Sequence, residues 1–160
     1  MRIIALNLGL AVAYAGLSLL LIPLAGEGPR VWAPAALAVA APVLRGMRLV
    51  PGAFAGALVF EWLRMQSGLG ALAAAAAHAT EALAAAWLLS ELRGWRPALD
   101  RPRDALLALL VGAVTAPAAG AAVKLGLTPS LWSGAPLAQG LDWWTTHGLG
   151  ILLFAPLGFC

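Results

Sequence analysis

Apolar runs of about membrane-spanning length, parted by short polar punctuation, limit what this chain can become more than any other feature. Met1-Arg2 leads into an apolar stretch from Ile3 to Leu24, close to the roughly 20 residues a helix needs to cross hydrocarbon. Similar stretches recur to the C-terminus. With 62% hydrophobic and 11% charged residues over 160 positions, the chain lacks the polar surface of a soluble domain. The expected fold is an all-α membrane protein, a bundle of about six transmembrane helices in a single domain over residues 1–160. The first run is too long for a secretory signal core and reads as a retained span. The net charge of +3 is scattered singly and in pairs; this is a topology signal, with no patch suited to nucleic acid. The lone Cys160 allows neither a disulfide framework nor a CxxC metal site within one chain.

In order, span one is Ile3 to Leu24, ended by the turn Gly26-Glu27-Gly28-Pro29-Arg30. Span two runs from Val31-Trp32 to Leu44, with Pro34 in its first turn, where proline is tolerated. Span three runs from Leu49 to about Leu63. Both are short, and Pro42 and Pro51 flank their connection, so they are expected as a thinned or partly broken helical hairpin. Span four, Gly68 to Leu89, holds the run Ala71-Leu72-Ala73-Ala74-Ala75-Ala76-Ala77, whose small side chains let backbones approach or leave room for a bound group. After the polar stretch from Ser90 to Arg103, Asp104 reads as the N-cap of span five, which ends near Leu125. Thr115-Ala116-Pro117 is expected to kink that helix. Gly126 to Leu141, with Pro129, Trp132, Gly134 and Pro136, reads as an interfacial loop, and span six covers Trp143 to Phe159.

Six spans put both termini on one side of the membrane. Arg2, Arg45, Arg48, Arg93, Arg96, Arg101 and Arg103 fall on that side, and Arg30, Arg64 and Lys124 on the other. The positive-inside rule makes the termini cytoplasmic.

Ionisable groups inside spans are costly and face protein rather than acyl chains. His78 and Glu81 are three residues apart and share a helix face. Asp142-Trp143-Trp144-Thr145-Thr146-His147-Gly148-Leu149-Gly150 puts a tryptophan pair at the mouth of an apolar run, with a histidine one turn deeper. Spans four and six run in the same direction, which brings His78 and His147 to comparable depth. Two imidazoles can clamp a haem iron; with Glu81 they can instead hold a divalent transition metal. The poly-alanine face opposite Gly148 and Gly150 would leave space for a flat macrocycle. The plainer reading gives each histidine an interhelical hydrogen bond, worth on the order of 1 kcal/mol or less. No CxxCH occurs, so covalent c-type attachment is excluded.

Glu81 must pair, coordinate or stay protonated; a structural pairing with His78 is its plain alternative. Glu61 is expected at the interface, paired with Arg64, and Lys124 to snorkel. Asp142 caps span six or lines the mouth of the site. The tryptophans are mostly interface anchors, though Trp32 and Trp143-Trp144 also suit the wall of a ligand pocket. The candidate ligand-binding set is therefore Trp32, His78, Glu81, Asp142, Trp143, Trp144, His147 and Gly150, with His78, Glu81 and His147 as metal candidates. Arg93, Arg96, Arg101 and Arg103 are solvated topology signals or a contact for anionic lipid or an acidic output domain. The Ala- and Gly-rich faces of spans two to four suit a homodimer seam or packing within the chain.

Four segments, in order and spacing, resemble the MASE1 family of bacterial integral-membrane sensory domains. They are Trp32-Ala33-Pro34 through Ala38, Val50-Pro51-Gly52 through Ala57, Thr80-Glu81-Ala82-Leu83 with Leu88-Leu89, and Trp143-Trp144 through Pro156. The resemblance implies an input module of the bacterial inner membrane feeding a cytoplasmic output, a histidine kinase or a diguanylate cyclase. The family's usual domain is longer, so the chain is expected to be a fragment, a minimal member or an isolated module. Thr146 and His147 depart from the family's Gly and Asp, and His78 stands about where an Asn is common. A ligand of another member is therefore not transferable.

Three functions compete: a sensory input domain, the substrate-binding membrane component of a small-molecule transporter, and a bis-histidine haem or metal protein. No nucleophile–base pair, phosphate loop or paired carboxylates mark an enzyme; Ser67, Ser90, Ser130 and Ser133 lie in loops or at helix ends. No catalytic activity is expected.

Overall fold

The computed structural model describes residues 1–22, 31–65, 67–128 and 135–159. The turn around Gly26 to Arg30, the loop residues Pro129 to Gly134 with Trp132, and Cys160 lie outside them. Six helical rods run through the described residues: α1 Arg2–Leu21, α2 Ala33–Arg45, α3 Val50–Met65, α4 Gly68–Glu91, α5 Pro102–Leu127 and α6 Pro136–Phe159. There is no strand among the described residues. Three of the rods, α1, α4 and α5, are long and apolar enough to cross a membrane. Leu8, Val12, Leu20, Leu83, Leu110, Leu153 and Leu157 all point outward, as side chains in lipid do. The molecule is an all-α membrane protein.

Alanine makes α4 the hub. Ala71, Ala73, Ala74, Ala75, Ala77, Ala82, Ala85 and Ala86 are all buried, and α2, α3 and α5 pack against it. Its apolar window is 56% buried, against 22% for α1. Short side chains on its buried faces let several neighbours approach at once. The Ser67 hydroxyl caps the helix by accepting from the Gly70 amide at 3.4 Å.

α1 packs on α3 through a glycine pair one turn apart. A Cβ on Gly52 would lie 2.7 Å from the Asn7 carbonyl oxygen, and one on Gly56 2.7 Å from that of Ala11. Asn7 completes the seam, its Oδ1 accepting from the Gly52 amide at 2.6 Å and its Nδ2 donating to the Arg48 carbonyl at 3.0 Å. The small-residue faces of α3 and α4 are thus used within the chain.

The short pair α2 and α3 does not close into a hairpin. Gly46, at φ +96°, turns the chain, and α2 goes to α4 and α6 while α3 goes to α1 and α4. α5 also differs from expectation at its start. Arg101 is the N-cap and Pro102 the first helical residue, so Asp104 sits inside the first turn and caps nothing. It is fully buried, and Trp95 Nε1 donates to its backbone carbonyl at 3.3 Å.

The interruption expected near Pro117 is a π-helical interval, Ala108–Thr115. The Ala116 amide bonds five residues back, to the Val111 carbonyl, and the Thr115 hydroxyl donates to the Leu110 carbonyl at 2.8 Å. Pro117 has no N–H for the Ala113 carbonyl four residues earlier. α6 meets this opened backbone with two residues one turn apart. Trp144 Nε1 donates to the Val114 carbonyl at 2.8 Å, and Gly148 lies where a Cβ would stand 2.5 Å from the Ala113 oxygen. α6 itself starts at Pro136, inside the stretch read as an interfacial loop, so Trp143 falls in its third turn.

Candidate functional site

α4 and α6 are not close-packed neighbours; side chains bridge the gap between them. His78 and Glu81 point from one face of α4, both fully buried, and His147 from α6 is 5% exposed. His147 Nδ1 lies 2.9 Å from each carboxylate oxygen of Glu81. Trp143, one turn before His147, donates its indole N–H to Glu81 Oε1. The two imidazoles stack with centroids 4.8 Å apart and planes 18° from parallel, and the Trp143 ring lies 4.0 Å from that of His147.

Four further helices close the site. From α1, the fully buried Tyr14 hydroxyl sits 3.1 Å from His78 Nδ1 and 3.0 Å from Nε2. Trp32, at the start of α2, donates its indole N–H to that hydroxyl at 3.2 Å; the tyrosine O–H is thereby directed to the imidazole. From α5, Gly120 makes room for Glu81: a Cβ there would lie 2.5 Å from the glutamate Cγ. Lys124 places its ammonium over the Trp143 ring, 4.1 Å from the centroid, a cation–π contact. The side chain expected to snorkel turns instead to this ring.

α3 contributes Glu61, which pairs with Arg64 as expected, through Nε at 3.1 Å and Nη2 at 2.8 Å. Its position differs from the expected interfacial one. The residue is 4% exposed, and its second oxygen lies 3.9 Å from His78 Nε2. His78 therefore stands between two carboxylates, with Glu81 4.0 Å from Nδ1.

The structure thus brings together Trp32, His78, Glu81, Trp143 and His147 from the sequence-derived set, and adds Tyr14, Glu61, Gly120 and Lys124. Three residues stand apart from the cluster. Asp142 is exposed inside α6 and caps nothing; its backbone carbonyl takes the Thr146 hydroxyl at 2.8 Å. Trp144 is engaged with the π-helical interval of α5. Gly150 admits the Trp32 backbone carbonyl, on which a Cβ would collide, while the Trp32 amide bonds to the Thr146 carbonyl at 3.0 Å. The space expected beside Gly148 and Gly150 for a macrocycle is filled by these carbonyls.

Chemically, the cluster offers two imidazoles and a carboxylate, with one ligand atom from each of His78, Glu81 and His147 lying within 4.8 Å of one another. That set can hold a divalent cation or hydrogen-bond a small polar molecule. A separate apolar cavity of about 160 Å³ lies among Val39, Leu89, Leu109, Ala113 and Ile151, and none of the cluster's polar side chains line it.

A family model, MASE1, matches residues 2–160. No curated protein and no solved structure matches the chain.

Proposed function

The chain belongs to the MASE1 family of membrane-associated sensory domains, and from that premise we propose that it recognises a small ligand between its helices and signals to a cytoplasmic output. The observation that carries this reading is the Tyr14–His78–Glu81–His147–Trp143 cluster, sealed in the middle of an otherwise apolar bundle. Polar groups in such a setting are expensive. Structural hydrogen bonds between membrane helices average only about 0.6 kcal/mol, a small return for two histidines and two carboxylates. Recognition accounts for them better than stability does.

In this reading the protein is a multi-pass component of the bacterial cytoplasmic membrane with both ends in the cytoplasm, as the arginine distribution supports. α6 carries His147 and runs on to Phe159, so it leads from the ligand site to the cytoplasmic side. The output is of histidine kinase or diguanylate cyclase type, and the working form is a homodimer. The domain itself performs no turnover.

The test is a fusion of the chain to a cyclase reporter in bacterial membranes, assayed beside Glu81→Gln and His147→Gln forms. The expected result is a severalfold change in reporter activity at equal membrane abundance. Identical output from the wild type, both variants and a reporter carrying an unrelated membrane anchor would defeat the proposal.

A further inference from the structure

We propose that the cluster binds one divalent transition-metal cation, held by an imidazole nitrogen of His78, an imidazole nitrogen of His147 and a carboxylate oxygen of Glu81. This rests on the sensory reading above and names the class of ligand at that site.

The donor set comes first. Two imidazoles and one carboxylate suit zinc and its first-row neighbours, whereas magnesium and calcium prefer all-oxygen shells. The three donors already lie within 4.8 Å of one another. Bonds of about 2.0–2.1 Å in a tetrahedral site bring donors to about 3.3 Å apart, a closure that side-chain rotation supplies. The rings stack 18° from parallel, so their in-plane lone pairs run side by side and converge on one compact ion only after that rotation.

Charge points the same way. Glu61 has Arg64 at 2.8 Å. Among the described residues no arginine or lysine comes within ion-pair distance of Glu81, whose neighbours within 4.0 Å of that kind are His78 and His147 alone. The Lys124 ammonium, seated over the Trp143 ring, makes no direct contact with Glu81 and acts on it only through space. A cation held by the histidines would give Glu81 the directly bonded positive partner that no arginine or lysine gives it.

The surrounding shell fits a metal site. Ligands in such sites are oriented by hydrogen bonds from outside, and here Trp32 holds Tyr14, Tyr14 holds His78, and Trp143 holds Glu81. Gly120 leaves the carboxylate its space. Binding requires a lone pair on each imidazole and an ionised carboxylate.

The whole chain in detergent, stripped with a chelator, is titrated with Co²⁺ alone and then with competing Zn²⁺. The expected result is a saturable visible absorption band at one Co²⁺ per chain, erased by Zn²⁺ and lost in His78→Ala and His147→Ala. Should either alanine variant fail to fold by circular dichroism and size-exclusion profile, Tyr14→Phe serves in its place. It keeps every ligand and is expected to weaken Co²⁺ binding by about tenfold, while Arg64→Ala leaves binding unchanged. Absence of the band in folded wild type, or its persistence at full strength in both histidine variants, overturns the proposal. The reporter separates the two readings. Output that responds to Glu81→Gln in a protein that binds neither ion sinks the metal and keeps the sensor; bound Co²⁺ with an indifferent reporter does the reverse.

Discussion

Glu61 and Glu81 lie in adjacent helices of one bundle, nearly and fully buried, and the protein accommodates them by opposite means. Glu61 is answered from its own helix by Arg64, one turn on, whose side chain is 44% exposed. Glu81 is answered from α6, by Trp143 and His147, with Gly120 of α5 cut back to admit it. The first arrangement is self-sufficient and touches the surface. The second exists only when three helices are in place, and its donors are groups that a ligand can replace. A carboxylate that merely has to be tolerated needs only the first solution.

The comparison is broken most severely by filling the space beside Glu81. Gly120→Val is expected to cost about 1–3 kcal/mol, as overpacked cores do, read as a fall in the thermal unfolding midpoint in detergent. Wild-type stability in that variant would mean Glu81 is free to move aside. Next comes Glu81→Ala, which strands the Trp143 N–H without an acceptor. Leaving one buried donor unmatched costs about 1–3 kcal/mol, and Glu81→Gln should recover most of it because an amide oxygen still accepts from the indole. Arg64→Ala is expected to cost less, about 0.5–1 kcal/mol, since that arginine is largely solvated. If Arg64→Ala proved worse than Glu81→Ala in the same assay, the contrast between the two carboxylates would collapse. Smallest is Trp144→Phe, which removes one interhelical bond to the Val114 carbonyl for about 0.6 kcal/mol. It should sharpen the picture through hydrogen exchange: amides of 108–115 should exchange faster, while those around Glu81 should not.

The all-helical class and the shared face of His78 and Glu81 are legible in the chain because they are local properties. Span four was placed at Gly68 to Leu89 against an observed Gly68–Glu91, since hydropathy and length set membrane helices almost alone. His78 and Glu81 announced themselves as charges in an apolar run at helical spacing. Tyr14 did not. A tyrosine in a membrane helix ordinarily marks an interface, and the only usable signal was that the chain's one tyrosine sits deep inside span one. Gly120 was hidden among the alanines around it, because a residue that matters by having no side chain leaves no chemical trace. Glu61 and Lys124 were assigned to interfaces for a related reason. Distance from a span's end is visible in sequence, but which neighbouring helix covers that end is not. Acidic residues favour helix starts, which suggests a cap at Asp104 and either a cap or the mouth of the site at Asp142, yet each helix begins earlier, at Pro102 and Pro136.

The grip of α6 on the Trp32 main chain has a mechanical consequence. Thr146 and Gly150 hold that backbone on either side of the turn that bears His147. The Trp32 indole reaches Tyr14, the phenol reaches His78, and Glu81 returns the connection to His147. The parts form a closed ring of contacts, so moving any one member strains the next on either side of it.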